Sequence, residues 1–424
     1  MVNKNMTDNF FDPKELMSRT EREDYLNQKL IRMVNLGYQK SQRFKEMLDN
    51  NRVDPSKIIS IKDLQKIPVI SREEFVKMEA EAPPFGGFYD NDIRPDIIFT
   101  SPGPVHEPYF PELEQFWARG YFAAGFRQGD IVLNTFSYHM VAAGLTFHNG
   151  LRSLGITVVP SGTSSTDSQV QLIKNLNITG YTGTPSFLMA IIKKAEDMGH
   201  DFKGDFKIRR ACFVAEPLEP SLREKFEREY LIDTYQMYGA TEVGDIAYEC
   251  DFKKGWHICE DTIVEIVDPT NGKNVAFGEV GEVVVTRLND VFFLFRFGTG
   301  DLSSLSEEVC PCGRTSFRLG GICGRVGEAV KIRGMFVTPS QLKLVASKLG
   351  NPRFQVVIDR SLHKDKLTIM IEIPAEGLDT VRMETDFEKV FREVCTVKVD
   401  NFEFVKELKG FEINKLIIDR RNWK

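Results

Sequence analysis

Between about residues 96 and 232, short apolar runs alternate with helical stretches, and no other feature of the chain restricts its fold as much. DIVLNTF (130–136), ITVVPSG (156–162), ITGYTGTPS (178–186) and IRRACFVAEP (208–217) read as strands, and SFLMAIIKKAEDMG and PSLREKFEREYLI as helices. Strands separated by helices are joined by crossovers rather than hairpins, which makes neighbours in the sheet parallel. The alternation predicts an α/β architecture with mainly parallel pairing in this part.

The chain has 424 residues, enough for one large domain and a smaller one. Its net charge of -6 argues against nucleic acid or an anionic membrane as partner, since either favours a basic surface. No apolar run approaches the roughly 20 residues needed to span a bilayer. The opening MVNKNMTDNFFDPKE has no signal-peptide core, so a cytoplasmic placement is expected. Seven cysteines in a chain this long are not a disulfide framework. Cys212, Cys323 and Cys395 sit among apolar neighbours and read as buried structural thiols.

Residues 21–50 carry Leu26, Leu30, Met33, Val34 and Phe44 at helical spacing, which predicts an amphipathic helix broken at Gly37. Ser71 and Glu74 have capping-box spacing for a helix start. After residue 255 the texture turns β-rich: TIVEIVDPTNGKNVAFGEVGEVVVTRL alternates apolar and polar residues around an Asn-Gly turn. From about 326 a smaller unit follows, with a basic β-like stretch, a helix after Pro339, the hairpin-like FQVVIDRSLHKDKLTIMIEI, a helix near 380–394 and a final strand. GRVGEAVKIRG (324–334) is punctuated by glycine as a hinge would be. The expected domains are 1–326 and 327–424.

Two motifs carry chemistry. YGATEVGD (238–245) offers an aromatic face, a hydroxyl and a carboxylate within a few residues, suited to a base, a phosphate and a divalent metal. In FRFGTGDL, Asp301 follows a Thr-Gly turn; its carboxylate suits two ribose hydroxyls, with Arg325 in reach to reinforce them. Singly, each is more often packing or a solvated turn. Their order makes chance a poor explanation.

In that order YGATE, FGTGD and GRVGEAVKIRG resemble the signatures of adenylate-forming enzymes, and more closely the phenylacetate–coenzyme A ligase family. DLQKIPVISREEF, TGTPSFL, VAEPLEPS, ECDFKKGWHICEDTIVEIVDP, CPCGRTSFRLGGICGRVG and the closing IIDRR extend the resemblance over most of the chain. It implies a large N-terminal adenylate-forming domain of mixed sheets and helices with a β-rich subdomain, and a small mobile α+β C-terminal domain. It implies that Ala215, Glu216 and Pro217 line the adenine pocket with Gly239 and Ala240, and that Tyr238 stacks on the base. Thr241 would contact the α-phosphate, Glu242 would hold Mg²⁺, Asp301 would bind the ribose and Arg325 would lie near it. Gly334 would mark the path of the pantetheine arm. Phe136, Tyr138 and His139 would line the acyl pocket, with Ala142, Ala143 and Gly144 leaving room for a ring or short chain.

The implied activity uses ATP, Mg²⁺ and coenzyme A to convert an aryl or small apolar carboxylate first to an acyl-adenylate and then to a thioester, releasing AMP and pyrophosphate. Two other readings stand beside it: transfer of the acyl group to a protein or other thiol, and nucleotide binding with little turnover. A homodimer is left open. Cys250, His257, Cys310 and Cys312 form C-x6-H followed by C-x-C, a preferred tetrahedral donor set for a structural zinc. Cys259 is an alternative ligand, since strand alternation puts it on the face of His257, and a metal-free cluster of reduced thiols is the plainer reading.

Four departures bear on turnover. FTSPGPVHEPYF (99–110) stands in place of the family's lysine-containing phosphate loop; Ser101, the Gly103 backbone and His106 remain as donors. Pro102, Pro104 and Pro108 have no N–H to give, and Glu107 would repel phosphate. Weak ATP affinity or slow adenylation is the expectation. Gly298 replaces the family arginine before Thr-Gly-Asp, although Arg296 is retained. Ile413 falls where the catalytic lysine is expected; Lys415, two residues on, keeps the same strand face, and Lys409 is a second candidate. Gly327 occupies the usual acidic hinge position.

Overall fold

A computed structural model describes residues 9–90, 92–101, 105–110, 116–333, 335–361, 364–373, 379–408 and 416–421. Two compact units emerge. The first comprises Met1–Glu265, Val284–Thr299 and Leu305–Gly321; the second comprises Ile266–Val283, Gly300–Ser304 and Ile322–Lys424.

The first unit is built on a nine-stranded sheet. Five strands are parallel, in the spatial order Thr157–Val159, Ile131–Asn134, Gly180–Gly183, Arg210–Phe213, Asp233–Ala240. Helices Ala142–Arg152, Thr166–Leu176, Pro185–Asp197 and Pro220–Arg228 join them. Each of the four strands expected from the alternation is present. Consecutive side chains fall into different cores: Val132 and Cys212 pack with Phe147 and Tyr235, while Leu133, Ala211 and Phe213 pack with Leu188 and Phe226. That is the period of two of a strand buried on both faces. Helix starts are set locally; Thr184 Oγ1 accepts from Phe187 N at 3.3 Å, with Pro185 in the first turn.

After Asp233–Ala240 the chain reverses into Gly244–Glu249, which pairs antiparallel, and Trp256–Ile258 follows antiparallel to it. Tyr238 therefore lies on the strand, with only residues 241–243 forming the turn.

The N-terminal helix corrects the sequence expectation. It runs Arg19–Lys40 through Gly37, and the break falls at Ser41, before Gln42–Asn50. Ser41 Oγ caps Phe44 N at 3.1 Å and donates to Gly87 O at 2.8 Å. Gly37 serves packing instead: an added Cβ would lie 3.0 Å from the rings of Phe293 and Phe44. The capping box is formed as expected, with Ser71 N donating to Glu74 Oε2 at 2.9 Å and Glu74 N to Ser71 Oγ at 3.2 Å, opening helix Arg72–Glu81. Arg296 is buried, and its guanidinium donates to both oxygens of Glu265 (2.9 and 3.1 Å) and to Ile67 O (2.7 Å). It ties the segment before Ser71 to strand Thr262–Val267 and does not line the cavity of the candidate site.

The second unit is α+β. Its sheet has the order Asn401–Val405, Lys364–Glu372, Phe354–Ser361, Ile417–Asp419; the central pair is antiparallel and both outer pairs are parallel. Helices Pro339–Lys348 and Thr380–Cys395 share its core through Leu342, Val345, Phe387 and Phe391. Among the described residues no helix is long and apolar enough to cross a membrane.

Candidate active site

In the first unit a cavity of about 490 Å³ opens at the carboxyl ends of the parallel strands, where open α/β sheets place their ligands. Its walls are largely apolar, with the rings of Phe99, Phe110, Phe116, Trp117, Phe136 and Phe147 among them. Strand Asp233–Ala240 and its turn deliver Gly239 to Glu242, and the end of Arg210–Phe213 delivers Val214 and Ala215. Helix Ala142–Arg152 adds Ala142 and Ala143. The hairpin Ile97–Ser101/Val105–Tyr109 adds Ser101, His106 and Glu107. Its tip, with Gly103, lies outside the described residues, as do Gly334, Lys409 and Lys415.

Ala215, Gly239, Ala240, Thr241, Glu242, Phe136, Ser101 and His106 thus face one cavity. Ala215 has φ +69°, a left-handed conformation that non-glycine residues rarely adopt and that occurs at functional turns. Glu216 and Pro217 stand outside the lining; the Glu216 carboxylate accepts from Ser186 Oγ at 2.6 Å and Pro217 is exposed. The Tyr238 ring stacks on Trp256 (centroids 5.6 Å apart), and its hydroxyl donates to Thr299 Oγ1 at 3.2 Å. Asp301 and Arg325 face each other on paired strands of the second unit, Oδ1 to Nε 3.0 Å.

Tyr138 and His139 are not among the lining residues. The Tyr138 hydroxyl accepts from Asn134 Nδ2 at 2.8 Å and lies 3.2 Å from His148 Nδ1, while His139 is exposed. Gly144 leaves no open room: a Cβ there would lie 2.3 Å from Ser137 O. Its missing side chain lets the helix approach the 137–138 backbone, so Gly144→Ala is expected to cost about 1–3 kcal/mol by overpacking, read as a lower denaturant midpoint with an unchanged slope.

The polar end of the cavity brings in Arg72, and with it Glu79, neither of which sequence reasoning singled out. Arg72 Nε lies 3.0 Å from Glu242 Oε1, whose side chain is fully buried. Glu79, 3% exposed, accepts from His106 N at 3.1 Å, and Glu107, 7% exposed, is hydrogen-bonded to the Ser101 hydroxyl. Burial, then the charge of Glu242, pushes the Glu79 carboxyl up to about 7 and that of Glu107 up to about 8. A signal for Arg72 and Glu79 was present: they are two helical turns apart, on one face of the helix that Ser71 caps. Arg287 also lines the cavity, 3.0 Å from Asp245 and over the Phe116 ring.

The cysteine cluster is assembled in the same unit. Donor atoms of Cys250, His257, Cys310 and Cys312 all lie within 4.8 Å of one another. Cys250 Sγ is 3.7 Å from Cys310 Sγ, and Cys312 Sγ is 3.3 Å from His257 Nε2. His257 Nδ1 lies 3.3 Å from Ser316 Oγ, which orients the ring with Nε2 toward the sulfurs. Hydrogen bonding from Cys250 and the neighbouring His257 hold the Cys312 thiol well below its usual range. Cys259 is outside the set. The strand ends at Ile258, and the Cys259 thiol bonds Asp245 Oδ2 at 3.4 Å instead. Of the three isolated thiols, Cys212 and Cys395 are buried and Cys323 is half-buried.

The family model described as AMP-binding enzyme matches residues 109–289. The chain is 30% identical over 381 residues to the phenylacetate–coenzyme A ligase of Aromatoleum evansii, covering 86% of this chain and 85% of that protein. It is 28% identical over 387 residues to the phenylacetate–coenzyme A ligase of Thermus thermophilus, covering 85% and 83%. Its fold is similar to that of 2-hydroxyisobutyryl-CoA ligase in an open conformation with 2-HIB-AMP and CoA, with a TM-score of 0.85 at 20% identity over 97% of this chain and 94% of that one. The chain belongs to the phenylacetate–coenzyme A ligase family of adenylate-forming enzymes.

Proposed function

We propose that the protein is an ATP-dependent acyl-CoA ligase for an aryl or small apolar carboxylate. The observation that carries this is the aromatic cavity meeting Thr241 and Glu242 at its polar end, of a size suited to a small ligand. Its aromatic walls exclude water and stack on a ring. The carboxylate end of the acid would then point at the Thr241–Val243 turn, where attack on the α-phosphate gives the acyl-adenylate and releases pyrophosphate. Displacement of AMP by the thiol of coenzyme A completes the cycle. Glu242 would be the oxygen donor for Mg²⁺, which would neutralise charge on the phosphates. Tyr238, Glu216, Pro217, Asp301 and Arg325 are proposed for adenine and ribose, Lys415 for the adenylation step, Gly334 for the pantetheine path, and 327–424 as the lid domain.

The Cys250–His257–Cys310–Cys312 set is proposed to hold a structural Zn²⁺. Three sulfurs and an imidazole fit that ion, and four protein donors leave no open position for chemistry. A cytoplasmic placement agrees with cysteines that are reduced rather than bridged. Carboxylate-dependent exchange of pyrophosphate into ATP tests the adenylation step; no exchange across a broad panel of acids would count against it.

A further inference from the structure

The cavity offers few of the cations that a triphosphate calls for. From residue 95 to 118, a stretch that includes the whole hairpin, the chain has no lysine or arginine, and Pro102, Pro104 and Pro108 have no N–H to give. Among the described residues, the lysine and arginine side chains that line the cavity are those of Arg72 and Arg287. Arg287 is engaged elsewhere. Its Nη1 donates to Asp245 O and to Thr262 Oγ1, both at 2.8 Å, it lies 3.0 Å from Asp245 Oδ1, and its side chain is only 12% exposed.

Arg72 differs on each count. It opens helix Arg72–Glu81, and 40% of its side chain is exposed. The contact found for it among the described residues runs from Nε to Glu242 Oε1, at 3.0 Å. Charge balance for the buried Glu242 carboxylate accounts for that contact. It does not use the Nη pair, the part of a guanidinium that grips two oxygens of a phosphate at once. We propose that Arg72 is the cation that takes the pyrophosphate part of ATP, in place of the lysine that the hairpin does not carry. The inference rests on the reading that this cavity receives ATP. Glu242 fixes the guanidinium beside Thr241, the residue proposed for the α-phosphate, so the remaining donors meet the phosphates that follow it.

The test is calorimetric binding of ATP, inorganic pyrophosphate and AMP to the full chain, with Mg²⁺ and without any divalent metal. The proteins are wild type, Arg72→Gln, Arg72→Lys, Glu242→Gln and the double variant Arg72→Gln/Glu242→Gln. Without metal, Arg72→Gln is expected to weaken ATP and pyrophosphate about ten- to hundredfold, the worth of charge-assisted hydrogen bonds, and AMP by less than about threefold. Arg72→Lys keeps the charge and loses the fork, and should fall between wild type and Arg72→Gln. Added salt should narrow the gap between wild type and Arg72→Gln.

The Glu242→Gln background separates phosphate binding from charge balance, because no carboxylate is left there for the guanidinium to neutralise. The double variant should still bind ATP about ten- to hundredfold more weakly than Glu242→Gln alone. That comparison stands even where Arg72→Gln by itself unfolds the chain by leaving Glu242 buried and unpaired. Equal ATP and pyrophosphate affinities for the two proteins overturn the inference, as does a loss for AMP as large as that for ATP. Wild type that binds ATP with Mg²⁺ but not without it also overturns the inference and leaves the reading of the cavity intact. Wild type that binds ATP under neither condition overturns both.

Discussion

Cys310→Ser, or removal of metal from the wild-type protein with a chelator, is expected to loosen the antiparallel end of the large sheet while the parallel strands hold. The four donors lie on three neighbouring segments at that end of the sheet: Cys250 follows strand Gly244–Glu249, His257 lies on Trp256–Ile258, and Cys310 and Cys312 lie in the connection between Leu305–Ser306 and Arg318–Leu319. A structural zinc site contributes on the order of 10 kcal/mol of apparent folding energy in small domains, and losing one thiolate of four forfeits much of that. The effect should reach the N-terminus. Arg314 Nε donates to Glu15 Oε2 at 2.7 Å and Thr315 N to Glu15 O at 3.1 Å, so the connection that carries the thiols also holds the turn Pro13–Leu16. Hydrogen exchange should accelerate in residues 12–22, 244–258 and 305–319, and stay slow in Gly180–Gly183 and Arg210–Phe213. Bound zinc should fall from about one per chain to none, whereas Cys259→Ser should keep it because Cys259 bonds Asp245. Full protection and full metal content in Cys310→Ser would contradict the assignment.

Glu242→Gln is expected to lower the rate of pyrophosphate exchange by about two to three orders of magnitude with the fold retained. Metal-held charge at a reacting phosphoryl group is worth several kcal/mol of transition-state stabilisation, and each 1.4 kcal/mol is about tenfold in rate. The amide keeps the shape of Glu242 and removes the anion that both Arg72, at 3.0 Å, and a divalent cation would meet. The loss should appear in kcat at saturating ATP, with a higher Mg²⁺ concentration needed for half-maximal rate. A loss under about threefold, or an unchanged Mg²⁺ requirement, would move the metal away from this residue.

Much of the scaffold was legible because its causes are local. The capping box at Ser71, the Thr-Pro start of helix Pro185–Asp197 and the strand-helix alternation are each written within a few residues. The donor set of the cysteine cluster was legible from residue type, but the exclusion of Cys259 was not: it depends on the strand ending at Ile258, a matter of pairing with Gly244–Glu249. Gly37 misled because a glycine in a helix reads as a break, whereas here it makes room for Phe293, more than two hundred residues away in sequence. Arg296, retained two residues before Gly298, has a role that sequence could not show: its partner Glu265 and the Ile67 carbonyl come from distant segments. Glu107 changed most. In sequence it is a charge that repels phosphate; the structure buries it against the Ser101 hydroxyl, and burial pushes its carboxyl up to about 8.

The central claim is the ligase activity itself, and one measurement meets it directly: a panel of aryl and short apolar carboxylic acids incubated with the protein, ATP, Mg²⁺ and coenzyme A, with AMP and the acyl product followed together by mass spectrometry. The expected result is AMP formed in step with an acyl-CoA thioester for a subset of acids, and neither product without the acid. ATP bound with no AMP and no thioester from any acid would contradict it.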